Sequence, residues 1–266
     1  MQNKIIIIII FIIQFFYSLY SENINIYFLN PDIGYQASVL VNEADKYFNK
    51  QAKGFLFQPI VKPKYIKKLF LQKQVHFMIV SPILKESLKR TMSAQIDVLN
   101  VPILDNNSCE YQKVYISKKK EKISVLKNRT IAIASYGEIN KELAKDYYFN
   151  NPGLKLGDVN IIWVKKDLDA IFGVILGQVD AAIVSPVVLN NMWKTSPSLA
   201  ENIYSIGKTK PLPAPYLFVV SYNGKQENIK EMVKQIKNIF EEMHVSTEGQ
   251  NLLEVLWMKK WVGKNK

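Results

Sequence analysis

The sequence predicts an α/β protein built as two Rossmann-like α/β lobes joined by hinge strands. Three observations predict it. Strand-like and helix-like apolar periods alternate along the chain with short breaks between them, the pattern of sheets covered by helices. One nine-residue segment occurs twice, a lobe-length apart. The bulk is globular: of 266 residues, 48% are hydrophobic, 12% aromatic and 22% charged. That is neither the polar mixture of a disordered chain nor the continuous apolar runs of a polytopic membrane protein.

Residues 1–21 read as a signal peptide. A short n-region with one basic side chain, Lys4, precedes the apolar block Ile5 to Phe16, which only Gln14 interrupts, and small residues Ser18 and Ser21 follow. An h-region needs about 7–15 residues, whereas a spanning helix needs about 20. Cleavage is expected near Ser21, which makes the mature protein exported and periplasmic. Retention of the segment as an anchor is the alternative, and it would make the protein a membrane-anchored ligand sensor.

The remaining elements follow in order. Ile24 to Leu29 is a strand, broken by Asn30-Pro31-Asp32-Ile33-Gly34. Leu40, Val41, Ala44, Tyr47 and Phe48 recur at helical spacing. Phe55 to Val61 is a second strand, Pro63 starts a helix with Ile66, Leu69 and Phe70 on its buried stripe, and Val75 to Val80 is a third strand. The second half repeats the rhythm. Tyr111 to Ser117, Thr130 to Ala134, Val159 to Val164 and Val179 to Val184 are strands. A helix carries Ile139, Leu143 and Tyr147, and another carries Leu168, Ile171, Phe172, Ile175 and Leu176, closed by Gly177. Tyr216 to Ser221 is a strand after a proline-rich approach, and two helices close the chain. The first lobe is placed at 22–107, with the C-terminal helices of 222–266. The second, with the hinge strands, is placed at 108–221.

The repeat carries the functional reading. Gln74-Val75-His76-Phe77-Met78-Ile79-Val80-Ser81-Pro82 aligns without a gap to Gln178-Val179-Asp180-Ala181-Ala182-Ile183-Val184-Ser185-Pro186, with six of nine positions identical and an offset of 178 − 74 = 104 residues. Serine followed by proline after a strand is a helix start: the hydroxyl accepts an orphan N–H, and proline at the first position has no N–H to leave unpaired. In parallel α/β sheets these junctions lie at the carboxyl ends of strands, where ligands bind, and the helix N-terminus favours an anion or a polar oxygen. Ser81 and Ser185 are therefore candidate ligand contacts. Capping alone explains each serine equally well.

Other chemistry is sparse. The formal charge is +12, or +11 without Lys4, and the lysines are dispersed, without the aromatic-interleaved patch of a nucleic-acid binder. Cys109 is the only cysteine, so no internal disulfide forms, and His76 and His244 are too separated for a metal site. No P-loop, dinucleotide glycine turn or nucleophile elbow is present. No catalytic residue, cofactor or metal is expected. Asp167 reads as a helix cap, and Trp163 and Trp193 as packing residues, with Tyr65 and Tyr136 as aromatic walls of a cleft.

At these residues the chain resembles the periplasmic phosphate/phosphite/phosphonate-binding proteins of ABC transporters. Leu168 to Leu189, with Gly177-Gln178-Val179-Asp180-Ala181-Ala182, is similar to their second-lobe signature, Val75 to Pro82 to their first-lobe strand, and Leu126 to Ala132 to the opening of their second lobe. The approach Pro211-Leu212-Pro213-Ala214-Pro215 matches in style. The resemblance implies a type II periplasmic-binding fold, hinge closure around a small polar solute, delivery to an inner-membrane ABC permease, and a monomer. It makes Tyr65, Ser135 and Asp180 binding residues. The family's Ser-Thr-Ser-Gly turn stands here as Ala134-Ser135-Tyr136-Gly137, and a family histidine that meets the oxyanion falls near Asp167. These departures bear on which ligand is bound.

Overall fold

The computed structural model describes residues 24–30, 37–51, 54–60, 63–91, 94–150, 153–222 and 229–264. The expected signal peptide lies outside them. The strands are β1 (Ile24–Phe28), β2 (Phe55–Pro59), β3 (Phe77–Val80), β4 (Gln95–Ile103), β5 (Glu110–Tyr111), β6 (Val114–Ser117), β7 (Thr130–Ala134), β8 (Asn160–Val164), β9 (Ala181–Val184), β10 (Tyr204–Lys208), β11 (Leu212–Pro213), β12 (Tyr216–Ser221) and β13 (Lys260–Gly263). The helices are α1 (Ala37–Gln51), α2 (Pro63–Leu71), α3 (Pro82–Thr91), α4 (Asn140–Leu143), α5 (Asp167–Ile175), α6 (Pro186–Thr195), α7 (Pro197–Ala200), α8 (Ile229–Glu241) and α9 (Thr247–Leu256).

Two sheets organise the molecule. The first has six strands in the order β13-β4-β12-β3-β1-β2, the second five in the order β10-β6-β9-β7-β8. In each, three parallel strands lie in the spatial order third-first-second, β3-β1-β2 and β9-β7-β8. An antiparallel strand then flanks the third, β12 beside β3 and β6 beside β9. The two copies of the nine-residue segment thus end at topologically equivalent strands, so the repeat marks two lobes of one design. The sheets are mixed, not purely parallel as the alternating rhythm alone suggests, because strands arriving from the hinge enter each sheet in the reverse direction.

The hinge is visible as a separate two-stranded sheet, with β5 and β11 antiparallel through Leu212 opposite Tyr111 and Pro213 opposite Glu110. Two crossings therefore run side by side. Tyr216–Ser221, expected with the second lobe, hydrogen-bonds to β3 and β4 of the first. The second crossing is complete before Tyr216, and Pro211, Pro213 and Pro215 on the way have no N–H to donate to a sheet interior. Strands β4, β10, β11 and β13 are absent from the elements that the sequence pattern predicts.

Helix ends follow local chemistry. Helix α5 stops at Leu176, and Gly177 takes φ 72°. Its N–H donates to Val174 O and that of Gln178 to Gly173 O, a glycine closure as the sequence predicts. At the end of α9 the same left-handed place, φ 67° and ψ 35°, is held by Trp257. A side chain there costs about 1–2 kcal/mol that glycine avoids.

The core sits on both faces of both sheets. One cluster fills the α1, α8 and α9 side of the first sheet, around Phe48, Phe57, Phe240 and Trp261. Another lies under α5 and α6 in the second lobe. The largest runs through both lobes: Ile66, Phe70, Met78 and Val80 share it with Tyr136, Ile139, Leu143 and Tyr148. An ion pair between Arg90 of α3 and Glu142 of α4 (2.9 Å) bridges the lobes beside it.

Candidate ligand site between the lobes

Parallel strands β7, β8 and β9 all end at one edge of the second sheet, and there the site is assembled. Residues Ser135, Asp167 and Ser185 follow these three strands. Strand β6 runs the other way, with Val114 opposite Val184, which sets Lys113 beside Ser185. The Lys113 backbone is fixed from the returning strand: its N–H donates to Thr209 Oγ1 (3.0 Å), and its carbonyl accepts from Thr209 N–H (2.9 Å).

Lys113 and Asp167 form a buried ion pair, Nζ to Oδ1 3.3 Å, with side chains 0% and 1% exposed. The ammonium also lies 5.4 Å from the Tyr136 ring centre and 5.6 Å from that of Tyr148, within cation–π range. The second oxygen of Asp167 accepts the Ser185 N–H at 2.6 Å. Asp167 is therefore not the plain helix cap expected of it; Asp169 takes the Lys166 N–H instead, at 3.1 Å. With these bonds the carboxylate and ammonium satisfy each other in a dry place, where either alone would be strongly unfavourable.

The structure separates the two serines of the repeat. Ser81 Oγ accepts the Leu84 N–H at 3.2 Å, an ordinary cap on α3. Ser185 makes no side-chain cap on α6. It is 0% exposed, and its Oγ has no hydrogen-bond partner among the described residues. Ser185 lines a cavity of about 380 Å³ that also touches Asn30 at the end of β1, Tyr111 and Ala214 of the hinge, and Trp257 after α9. A neighbouring hollow of about 540 Å³ shares Asp105, Lys194 and Trp257 with it. Both lie between elements of the two lobes.

The remaining expected site residues fall elsewhere. Ser135 Oγ is engaged within its own turn, accepting from Gly137 N–H (3.2 Å) and Asn140 Nδ2 (3.0 Å). Tyr136 is buried against Lys113, its N–H donating to Asn140 Oδ1 at 2.6 Å. Tyr65 stands exposed in the first turn of α2. None of Tyr65, Ser81, Ser135 and Tyr136 lines either hollow. Asp180 is displaced furthest. It precedes β9, accepts the Thr130 N–H at 2.9 Å and pairs with Arg129 at 3.3 Å. That is the amino end of the parallel strands, opposite the end where Ser185 sits, so Asp180 is a surface contact of β7 and not a cleft residue.

Lys113 and Trp257 were missed by sequence reasoning. Their signals are a lone lysine abutting the apolar run Val114-Tyr115-Ile116, and a tryptophan where a helix end favours glycine. Among the described residues no group of histidine, cysteine, aspartate and glutamate could hold a metal, and no helix is long and apolar enough to cross a membrane. At the hinge, Tyr216 donates to Cys109 Sγ at 3.7 Å, and burial with that neighbour pushes its hydroxyl up to about 12.

Two α/β lobes, a double-crossing hinge and an interlobe cavity with an unused buried hydroxyl define a solute-binding protein of the type II periplasmic fold. The sequence assigns it more closely. The family model for the phosphonate periplasmic substrate-binding protein of ABC transporters matches residues 63–265, and the chain belongs to that family, a periplasmic transport component. No curated protein matches it by sequence. Among solved structures it is similar to PhnD1 from Prochlorococcus marinus in complex with methylphosphonate, at 16% identity over 91% of this chain and 93% of that one, with a TM-score of 0.72. It is likewise similar to a binding protein component of an ABC phosphonate transporter from Pseudomonas aeruginosa, at 14% identity, 91% and 81% coverage and a TM-score of 0.70. A Xanthomonas citri protein bound to ATP shares 10% identity over 91% and 90%, with a TM-score of 0.64.

Proposed function

We propose that the mature protein, a monomer starting near Glu22, captures a small polar solute of the phosphonate kind in the interlobe cavity and hands it to an inner-membrane ABC permease without transforming it. The observation that carries this reading is Ser185, which lines the cavity and whose buried hydroxyl has no partner among the described residues and serves no capping role. A buried hydroxyl without a partner is unfavourable by about 1–3 kcal/mol, so a ligand acceptor or donor placed there recovers that energy on binding. The cavity joins residues of both lobes and of the hinge, which gives a bound solute purchase on lobe closure. Lys113 and Asp167 act behind Ser185 as positioning residues, holding its backbone through the 2.6 Å bond.

The test is a thermal-shift and calorimetric screen of protein refolded after unfolding, which strips any co-purified solute, against phosphate, phosphite, methylphosphonate and small zwitterions. A true ligand at a hundred times its Kd stabilises by about 2.7 kcal/mol. No stabilisation by any member of the panel, in protein free of co-purified solute, would overturn the reading. N-terminal sequencing of exported protein checks the expected start near Glu22.

A further inference from the structure

The cavity is larger than a bare oxyanion and is lined by one charge of each sign. At about 30 Å³ per heavy atom, its roughly 380 Å³ holds about a dozen atoms, whereas methylphosphonate has about five. The charged residues of its lining are one acid, Asp105, and one base, Lys194. The nearest buried cation, Lys113, is already opposed by Asp167. That carboxylate also occupies the Ser185 N–H just before α6, and Pro186 at the first helical position has no N–H to offer. A dianion entering the cavity meets one lysine and one carboxylate in its lining.

Part of the lining is apolar, and it contains the one described lining residue with a left-handed backbone. Trp257 holds φ 67° at the end of α9, where glycine would sit freely, and it is partly exposed into both hollows. Strain kept at a cavity wall is expected where the side chain contacts a ligand. Leu104, Leu256 and Met258 continue that wall.

The geometry points to a zwitterion with a flat apolar body of several carbons: the body rests on Trp257, the ammonium faces Asp105, the acidic group faces Lys194, and a hydrogen-bonding atom meets Ser185 Oγ. This rests on the reading of the cavity as the solute site. It narrows the solute to a class that bare phosphate and methylphosphonate do not belong to.

Calorimetry with refolded protein and four probes tests it: inorganic phosphate, methylphosphonate, 1-aminobenzylphosphonate and L-phenylalanine. At least one of the two aromatic zwitterions is expected to bind ten times or more tighter than methylphosphonate, and the better of the two identifies the acidic group. Trp257→Gly is expected to erase that advantage. Its melting temperature is expected not to fall, because glycine accepts the left-handed conformation, and Trp257→Phe is expected to restore part of the affinity. Methylphosphonate or phosphate binding as tightly as both zwitterions, or zwitterion binding untouched by Trp257→Gly, overturns the inference and leaves the solute-binding function standing. Failure of all four probes to bind overturns both.

Discussion

Alanine replacements at the two repeated serines are expected to act with opposite signs. Ser81 Oγ holds the Leu84 N–H of α3 at 3.2 Å, and losing an N-cap of this kind costs about 1 kcal/mol. For a protein of this size that lowers Tm by roughly 2–4 °C. Ser185 holds nothing with its Oγ and is fully buried. Ser185→Ala removes an unsatisfied hydroxyl worth about 1–3 kcal/mol of desolvation, set against a small loss of packing. Its ligand-free Tm should therefore stay level or rise, by up to about 4 °C. Affinity for the solute should reverse the order. Ser185→Ala loses about 1 kcal/mol, a fall of roughly fivefold, and Ser81→Ala changes binding by less than twofold. Melting followed by circular dichroism, with calorimetry on the same preparations, measures both. Equal drops in Tm for the two variants, or unchanged affinity for Ser185→Ala, would refute the distinction drawn between cap and ligand contact.

Lys113→Met strands the buried Asp167 carboxylate and is expected to destabilise by about 3–5 kcal/mol, measured by urea unfolding. The double variant Lys113→Met with Asp167→Leu should recover most of that loss, and a double variant less stable than the single would contradict the pairing. Gly249 stands where an added Cβ would lie 1.9 Å from Met243 O, a backbone atom, so Gly249→Ala should cost more than about 2 kcal/mol by displacing the start of α9. Burial holds the Tyr222 hydroxyl up to about 12, against an ordinary 10. Its neutral form is thus favoured on folding, and the stability it contributes is full below pH 10 and lost as pH rises through 12. The unfolding midpoint should decline across that window, and less steeply in Tyr222→Phe.

The elements were legible because each depends on neighbours within a few residues. Periodicity located most strands and helices, Gly177 closed α5 as predicted, and Ser-Pro marked the starts of both α3 and α6. Of the expected site residues, only Ser185 lines the cavity proposed for the solute. Asp180 lies five residues before it, on a segment that matches the first-lobe copy, yet β9 carries the two to opposite ends of the sheet. Similarity along a strand does not say which end faces the cleft unless the strand's neighbours are known. Lys113 looked like one more lysine among dispersed ones. It becomes a site residue because β6 runs antiparallel to β9, a pairing between segments 70 residues apart (184 − 114).

By itself, then, the sequence determined two α/β lobes, their duplication and the family. The lobes and their duplication follow from local periodicity, caps and a repeated segment, all of which act over short stretches of chain, and the family from the likeness of the sequence over residues 63–265. Only the tertiary structure decided which of two matching serines is a cap and which a cavity wall, that Asp167 is paired with Lys113, and that Trp257 faces the cavity. Each of these depends on strand order and direction, and so on contacts between residues that the chain brings together only when both sheets and the hinge have formed.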